Sequence, residues 1–306
     1  MTVAVVCGGF SEEQHSSRKS GLGIAGALET LGHTVFIIEY NADLIGSIKN
    51  VSPDVIFPIV QGKHHSDGAA AAIFELIGIP YVGTRPQYAA VINDKILCKK
   101  IWRAAGILTP DYFEYNYFEY IKDSFNNFSD KVKSFGFTLP VVVKPPTQGG
   151  KFGIVFVRDT ATFDALENSF NYDKTLLAEK YIEGRFITQG IVEINGVKTA
   201  LPPVEVIDTS ADEYKVFARE TAVSVPHNLP PKQVAELNEI TLEAASLVGA
   251  TGFARLDYHI CGDKIHLLEI NAAPGLATDY SHISKCAEAA GYEYNDFIGM
   301  ILATAR

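Results

Sequence analysis

Ala254 to Asn271 reads A-R-L-D-Y-H-I-C-G-D-K-I-H-L-L-E-I-N, two alternating apolar stretches on either side of Gly262-Asp263-Lys264. Strand side chains alternate with period two, so Arg255, Asp257 and His259 share one face, and Glu269 and Asn271 share one on the next strand. If Gly262, Asp263 and Lys264 form a three-residue connection, Asp257 falls opposite Glu269 and Arg255 opposite Asn271; a two-residue loop sends the carboxylates to opposite faces. In the first arrangement Asp257, Glu269 and Asn271 offer oxygen ligands to a divalent metal, suiting magnesium or manganese better than zinc. That chemistry points to phosphoryl transfer. A half-exposed hairpin with solvated charges is the plainer alternative.

Around this segment the chain alternates β and α patterns. Pro274-Gly275 and a helical region follow it, and Pro230 to Val248 precedes it as a helix. Leu176 to Lys180 and Phe186 to Val192 have strand character. Leu139 to Lys144 is a β run entering the loop Pro145 to Gly153, with Ile154 to Val157 a strand beyond it, so a flexible loop hangs between two strands like a lid. Asp94 to Ala105 is a helix stopped by Gly106. The first 84 residues carry strands at Val3 to Val6, Val35 to Glu39, Val55 to Val60 and Pro80 to Val82, with helices at Ser20 to Leu31 and Ala69 to Ile77. This predicts a small parallel sheet with helices on both faces. The expected division is an N-terminal α/β unit over 1–84, then an α+β region split into 85–177 and 178–306, the last carrying the hairpin.

Lys144 leaves its apolar strand at P-P-T-Q-G-G-K-F-G. That position suits a lysine aimed at phosphates under a mobile flap, whose glycines allow close approach to a ligand. An ordinary exposed loop lysine is the alternative. Leu177 to Ile182 can offer strand-end backbone groups to an adenine edge. Gly8-Gly9 puts amides at a helix N-terminus, fit for an anion or for a tight turn alone. The full dinucleotide fingerprint is missing, which disfavours an NAD site, and Glu12 and Glu13 beside the turn suit an ammonium better than a pyrophosphate. Arg255 can steady a transferring phosphoryl group or an oxyanion, or simply pair with Asp257. His64-His65 lacks metal spacing, and Ser66 to Gly68 reads as a turn that starts a helix.

At 306 residues the chain is long enough for two or three domains. Its net charge of -10 argues against a nucleic-acid partner. Cys7, Cys98, Cys261 and Cys286 are scattered, without a zinc or disulfide pattern. The start M-T-V-A-V-V-C-G-G reads as a first strand and not as a signal peptide, and no apolar run approaches a membrane span. A cytoplasmic location is the expectation.

Taken in order, C-G-G-F-S-E-E-Q-H-S-S at Cys7, E-L-I-G-I-P-Y-V-G-T at Glu75, N-D-K-I-L-C-K-K at Asn93, V-V-V-K-P-P-T-Q-G-G at Val141, L-P-P-V-E-V-I at Leu201 and L-L-E-I-N-A-A-P-G at Leu267 resemble the D-alanine-D-alanine ligase family of the ATP-grasp superfamily. The resemblance implies an N-terminal Rossmann-like (preATP-grasp) domain followed by a two-part ATP-grasp fold. It implies an ATP-dependent ligation of two amino acids through an acyl phosphate, with two magnesium ions, manganese as an alternative, and a dimeric assembly. By motif position Lys95 and Lys144 resemble the phosphate-binding lysines, and Glu179, Lys180 and Ile182 the adenine-binding segment. Lys215, counted back from Glu220-Thr221, resembles the mobile-loop lysine. Asp257, Glu269 and Asn271 take the metal roles, Arg255 and the Gly275 amide the oxyanion roles, and Glu13 the role of holding the first substrate's ammonium.

The departures cluster at the amino-acid positions. A flap serine of the family is Gly150 here, followed by Lys151, and the tyrosine after the loop lysine is Val216. Gln61 replaces a histidine, Ser66 a glutamate, Phe186 a ribose-binding glutamate, and Tyr280 the serine that holds the second substrate's carboxylate. A lost buried hydrogen-bond partner costs about 1–3 kcal/mol, so several losses together imply a rebuilt amino-acid site. The expected activity is therefore an amino-acid ligase with an altered substrate pair. An authentic D-alanine-D-alanine ligase of peptidoglycan precursor synthesis, a catalytically silent ATP-binding protein and a dehydrogenase are the alternatives.

Overall fold

The computed structural model describes residues 1–62, 65–212, 214 and 222–306. Among these the strands form three sheets. The first holds β1 (Thr2–Cys7), β2 (Thr34–Glu39) and β3 (Val55–Pro58), all parallel in the order β2-β1-β3, with α1 (Gln14–Thr30), α2 (Leu44–Val51) and α3 (Ala69–Ile77) between and after them. Period-two alternation explains the two faces. Val3, Val5 and Cys7 pack with Ile24 and Leu28 of α1, while Ala4 and Val6 pack with Ile48 of α2 and Phe74 of α3. Burying both faces requires apolar residues at every buried position of β1, as V-A-V-V-C at 3–7 provides. The expected strand at Pro80 to Val82 is a single bridge from Tyr81 to Ile56.

After α4 (Pro86–Asn93), Asp94 caps α5 (Lys95–Ala104) by accepting hydrogen bonds from the amides of Ile96 and Leu97. The central sheet contains β4 (Tyr112–Asn116), β5 (Val141–Lys144), β6 (Val155–Val157) and β7 (Thr175–Lys180) in the order β4-β7-β5-β6. The helices α6 (Tyr117–Tyr120), α7 (Phe125–Ser134), α8 (Thr160–Asp164) and α9 (Leu166–Ser169) accompany it. An aromatic core built on Phe113, Tyr115, Phe128, Phe163 and Phe170 fills the space beneath. β7 straddles the expected boundary at 177, pairing with β4 as far as Glu179 and with β5 as far as Lys180.

The third sheet has β8 (Arg185–Ile194), β9 (Val197–Ala200), β10 (Val204–Asp208), β11 (Ala222–Pro226), β12 (Phe253–Cys261) and β13 (Lys264–Asn271), with α10 (Pro231–Leu247) packed against it. Here the hairpin departs from expectation in route though not in result. Cys261 pairs with Lys264, so the connection is the two residues Gly262 and Asp263, with Gly262 at φ 57. A bulge then restores the register: Tyr258 faces Leu267 while Asp257 faces Glu269, leaving Leu268 as the extra residue. Ile265 and Leu267 point into the core before it and Ile270 after it, so the bulge switches the strand's phase and turns Glu269 and Asn271 outward beside Arg255 and Asp257. The chain ends in α11 (His282–Ala289) and α12 (Tyr294–Leu302), whose Ile283, Phe297 and Ile301 join the core of α1. Among the described residues no helix is long and apolar enough to cross a membrane.

Candidate active site

Most of the anticipated residues line one cavity of about 560 Å³. Glu13 reaches it from the start of α1, Lys95 from the start of α5, and Lys144 from the end of β5. Gly150 lies in the flap over it, Arg255, Glu269 and Asn271 project from the hairpin, and Gly275 and Tyr280 follow β13. Asp257 is buried beneath, 3% exposed, and Lys180 and Ile182 do not line the cavity. Lys215, Val216 and the Glu220-Thr221 anchor lie outside the described residues, as do Lys63 and His64.

The hairpin is a network of charges. Arg255 grips Asp257 with both ends of its guanidinium, at 2.9 and 2.7 Å, so the structural ion pair is real whatever else the arginine does. Thr188 on the neighbouring β8 donates to the same carboxylate at 2.6 Å, a partner that sequence reading missed because β8 and β12 are far apart in the chain. Asn271 Nδ2 lies 3.3 Å from Asp257 and 3.4 Å from Glu269, so three oxygen-bearing side chains converge. Burial opposes the charge on Glu269, but Lys95, Lys144 and Arg255, with the bond from Asn271, pull its pKa down to about 2. Because that value lies below the ordinary 4.5, Glu269 contributes stability above pH 4.5 that is lost as pH falls towards 2. Glu269→Gln should flatten this part of the acid-unfolding profile; an unchanged acid limb in the variant would remove the assignment.

Behind the cavity wall lies a buried triad. Glu179 forms ion pairs with Lys99 at 2.5 Å and Lys144 at 2.6 Å, and Lys99 also donates to Thr109 at 2.5 Å. Burial would raise the Glu179 pKa, yet Lys144 and Lys99 hold it low; burial likewise pushes Lys99 down, while Glu179 keeps Lys144 above its usual range with help from Glu269. The Glu179 side chain thus faces inward, leaving backbone groups of the segment for any ligand edge. Lys95 donates to the Gln148 carbonyl at 2.9 Å, tying the flap to α5.

At the other end, the flap backbone lies directly on Glu13. A Cβ added at Gly149 would lie 2.7 Å from Glu13 Oε2, and one at Gly150 would lie 2.8 Å from the Phe152 ring and 3.1 Å from Glu13 Cδ. Gly150 has φ 60, which disfavours any side chain. Tyr280 turns its hydroxyl to the Ser16 carbonyl at 3.3 Å, and Ser281 beside it caps α11 and bonds the Gly275 carbonyl. The Gly8 turn holds no open anion site: its amide bonds Ser17, and the Glu39 carboxylate, paired with Arg18, covers it.

A lysine-lined cleft under a glycine flap, roofing a carboxylate-bearing hairpin between two antiparallel sheets, defines an ATP-grasp ligase. The family model described as "D-ala D-ala ligase C-terminus" matches residues 101–303. The chain belongs to the D-alanine-D-alanine ligase family, whose members are ATP-dependent, ADP-forming ligases that make a peptide bond and use a divalent metal. It is 33% identical to the D-alanine-D-alanine ligase of Moorella thermoacetica, over 100% of this chain and 99% of that one. Against the enzyme of Carboxydothermus hydrogenoformans the identity is 32%, over 99% and 97%. The Bacillus anthracis D-alanine-D-alanine ligase complexed with ATP superposes with a TM-score of 0.83 at 30% identity, covering 99% and 97%. The fold is shared with the VanG D-Ala:D-Ser ligase from Enterococcus faecalis, with a TM-score of 0.80 at 21% identity over 99% of each chain.

Proposed function

We propose that this ligase joins two amino acids through an acyl phosphate and that its amino-acid site differs from the family pattern. The observation that carries the second part is the seat at Gly149 and Gly150, where Glu13 and the Phe152 ring occupy the space of a flap side chain. A serine there would press on the Glu13 carboxylate and the Phe152 ring on a backbone that disfavours side chains, so the flap meets Glu13 with backbone and sets an aromatic ring beside it. Such a surface favours a first substrate that brings an ammonium to Glu13 and an apolar group to Phe152. D-Alanine at both positions is the second reading, favoured by the 33% identity to an enzyme of that name.

In the proposed reaction a carboxylate oxygen of the first amino acid attacks the γ-phosphorus, and the bond to the bridging oxygen breaks with its electrons leaving on ADP. The amine nitrogen of the second then attacks the acyl carbon, phosphate leaves with the C–O electron pair, and the nitrogen gives up its proton. The oxygen-only donors Asp257, Glu269 and Asn271 fit magnesium, as two ions or with manganese in its place, and would hold it. When bound, the metal would neutralise charge on the triphosphate. Lys95 and Lys144 would hold the phosphates, with Lys215 the proposed mobile-loop lysine. Backbone groups of Glu179, Lys180 and Ile182 would meet the adenine. Arg255 and the Gly275 amide would face the oxyanion, Glu13 the first ammonium, and Tyr280 the second substrate. The flap would exclude water from the acyl phosphate. Three domains, at 1–84, 85–177 and 178–306, a homodimeric assembly and a cytoplasmic location belong to the same proposal.

The test is ADP release across a panel of D- and L-amino acids with mass analysis of the products. High turnover with D-alanine alone would sink the altered-site reading. Gly150→Ser should lower kcat/KM for the first amino acid by about tenfold, the scale of one badly accommodated group. Adding Phe152→Val should recover part of that loss; no recovery would show that the ring does not fill the seat.

A further inference from the structure

Among the described residues three that are not glycine have left-handed backbone: Ser52, Asn195 and Lys151. Ser52 caps the C-terminus of α2 and Asn195 sits in the tight turn between β8 and β9, where such backbone is ordinary. Lys151, at φ 67, is in the flap directly after Gly150. A long side chain is disfavoured there relative to glycine, and strain of this kind concentrates where a side chain has a task.

The lysine lines the same cavity and is partly withdrawn from water. Among the described residues every other lysine or arginine of that lining has a carboxylate: Lys95 has Glu269, Lys144 has Glu179, and Arg255 has Asp257. Among the described residues Lys151 has none within ion-pair distance. Its charged surroundings are Arg255, which repels it, and Asp257, Asp208 and Glu269, which attract it; burial and Arg255 push its pKa down to about 8. An ammonium removed from water without a counter-ion is unfavourable until an anion arrives. The flap therefore spans two ends of the site. Gly149 and Gly150 rest on Glu13, and Lys151 lines the cavity together with Arg255, Glu269 and Asn271 of the hairpin.

We propose that Lys151 contacts the terminal phosphoryl group of the nucleotide at the junction between the hairpin and Glu13. It donates to a non-bridging oxygen and carries no atom in the transfer. The inference rests on the ligase reading for the identity of the nucleotide. A substrate carboxylate is the competing anion.

The experiment measures binding of the imido analogue of ATP and of ADP, each with magnesium, to the full chain. Lys151→Met should weaken the triphosphate about tenfold and ADP less than about twofold, the signature of one charged hydrogen bond to the terminal phosphate. Lys151→Gly suits the backbone better, so it should keep or raise the thermal midpoint while losing the same triphosphate affinity. A lysine present only to shape the flap gives the opposite result, with the glycine variant binding as well as wild type. Equal losses for both nucleotides, or none, overturn the proposal, as does an unaltered triphosphate affinity with a raised KM for an amino acid. These affinities do not depend on which amino acids are joined, so failure of the ligase reading shows separately in the amino-acid panel.

Discussion

Asp257→Asn should lower ADP formation by at least about a hundredfold, the scale of losing one preorganised charge at a transferring phosphoryl group. The structure adds a second expected effect. Asp257 is 3% exposed and neutralises Arg255, so the substitution leaves a half-buried guanidinium without its counter-ion. Breaking a buried pair from one side costs about 3–5 kcal/mol, which a urea titration would register as a lower midpoint. Combining it with Arg255→Leu removes the stranded charge and should recover much of the midpoint while turnover stays lost. Glu269→Gln should lose turnover with a smaller stability loss, since among the described residues its ion-pair partner is Lys95, 3.5 Å away and also bonded to the flap. Normal turnover in either carboxylate variant would remove the metal assignment.

Glu179→Gln should lower stability on the same scale. Its carboxylate lies between Lys99, wholly buried, and Lys144, whose side chain is 10% exposed. Without it two ammonium groups face each other out of water, again a cost of about 3–5 kcal/mol. Lys144 would lose the partner that aims it into the cavity, so nucleotide affinity should fall as well. Glu179→Gln with Lys99→Met removes one of the two cations and should recover most of the urea midpoint. A single variant as stable as wild type would mean that Lys99 is uncharged in the native protein.

Local pattern made much of this legible. The unbroken apolar run V-A-V-V-C announced a strand buried on both faces, and the alternation through Arg255, Asp257 and His259 announced one buried on a single face. Asp94 before K-I-L-C marked a helix start that the structure keeps as a cap. What stayed hidden depends on distance in the chain. Thr188 meets Asp257 only because β8 pairs with β12, and the hold of Glu179 on Lys99 and Lys144 joins α5, β5 and β7. Phe152 gave no signal, since only the fold of the flap returns its ring over Gly150. Helix α1 begins at Gln14, well before the expected Ser20, because Ser17 and Ser20 are buried polar residues whose hydroxyls serve the Gly8 and Leu276 amides.

Leu268 has a bearing on how such a hairpin tolerates insertion and deletion. Its surplus place in β13 and the two-residue turn at Gly262 are paired errors of opposite sign, each of which alone would rotate Glu269 away from Asp257. A relative with one more residue in the turn and one fewer in the strand would present the same face. Length changes here are therefore accepted in compensating pairs, and a sequence comparison that places a gap at the turn and another near Leu268 would be recording one event.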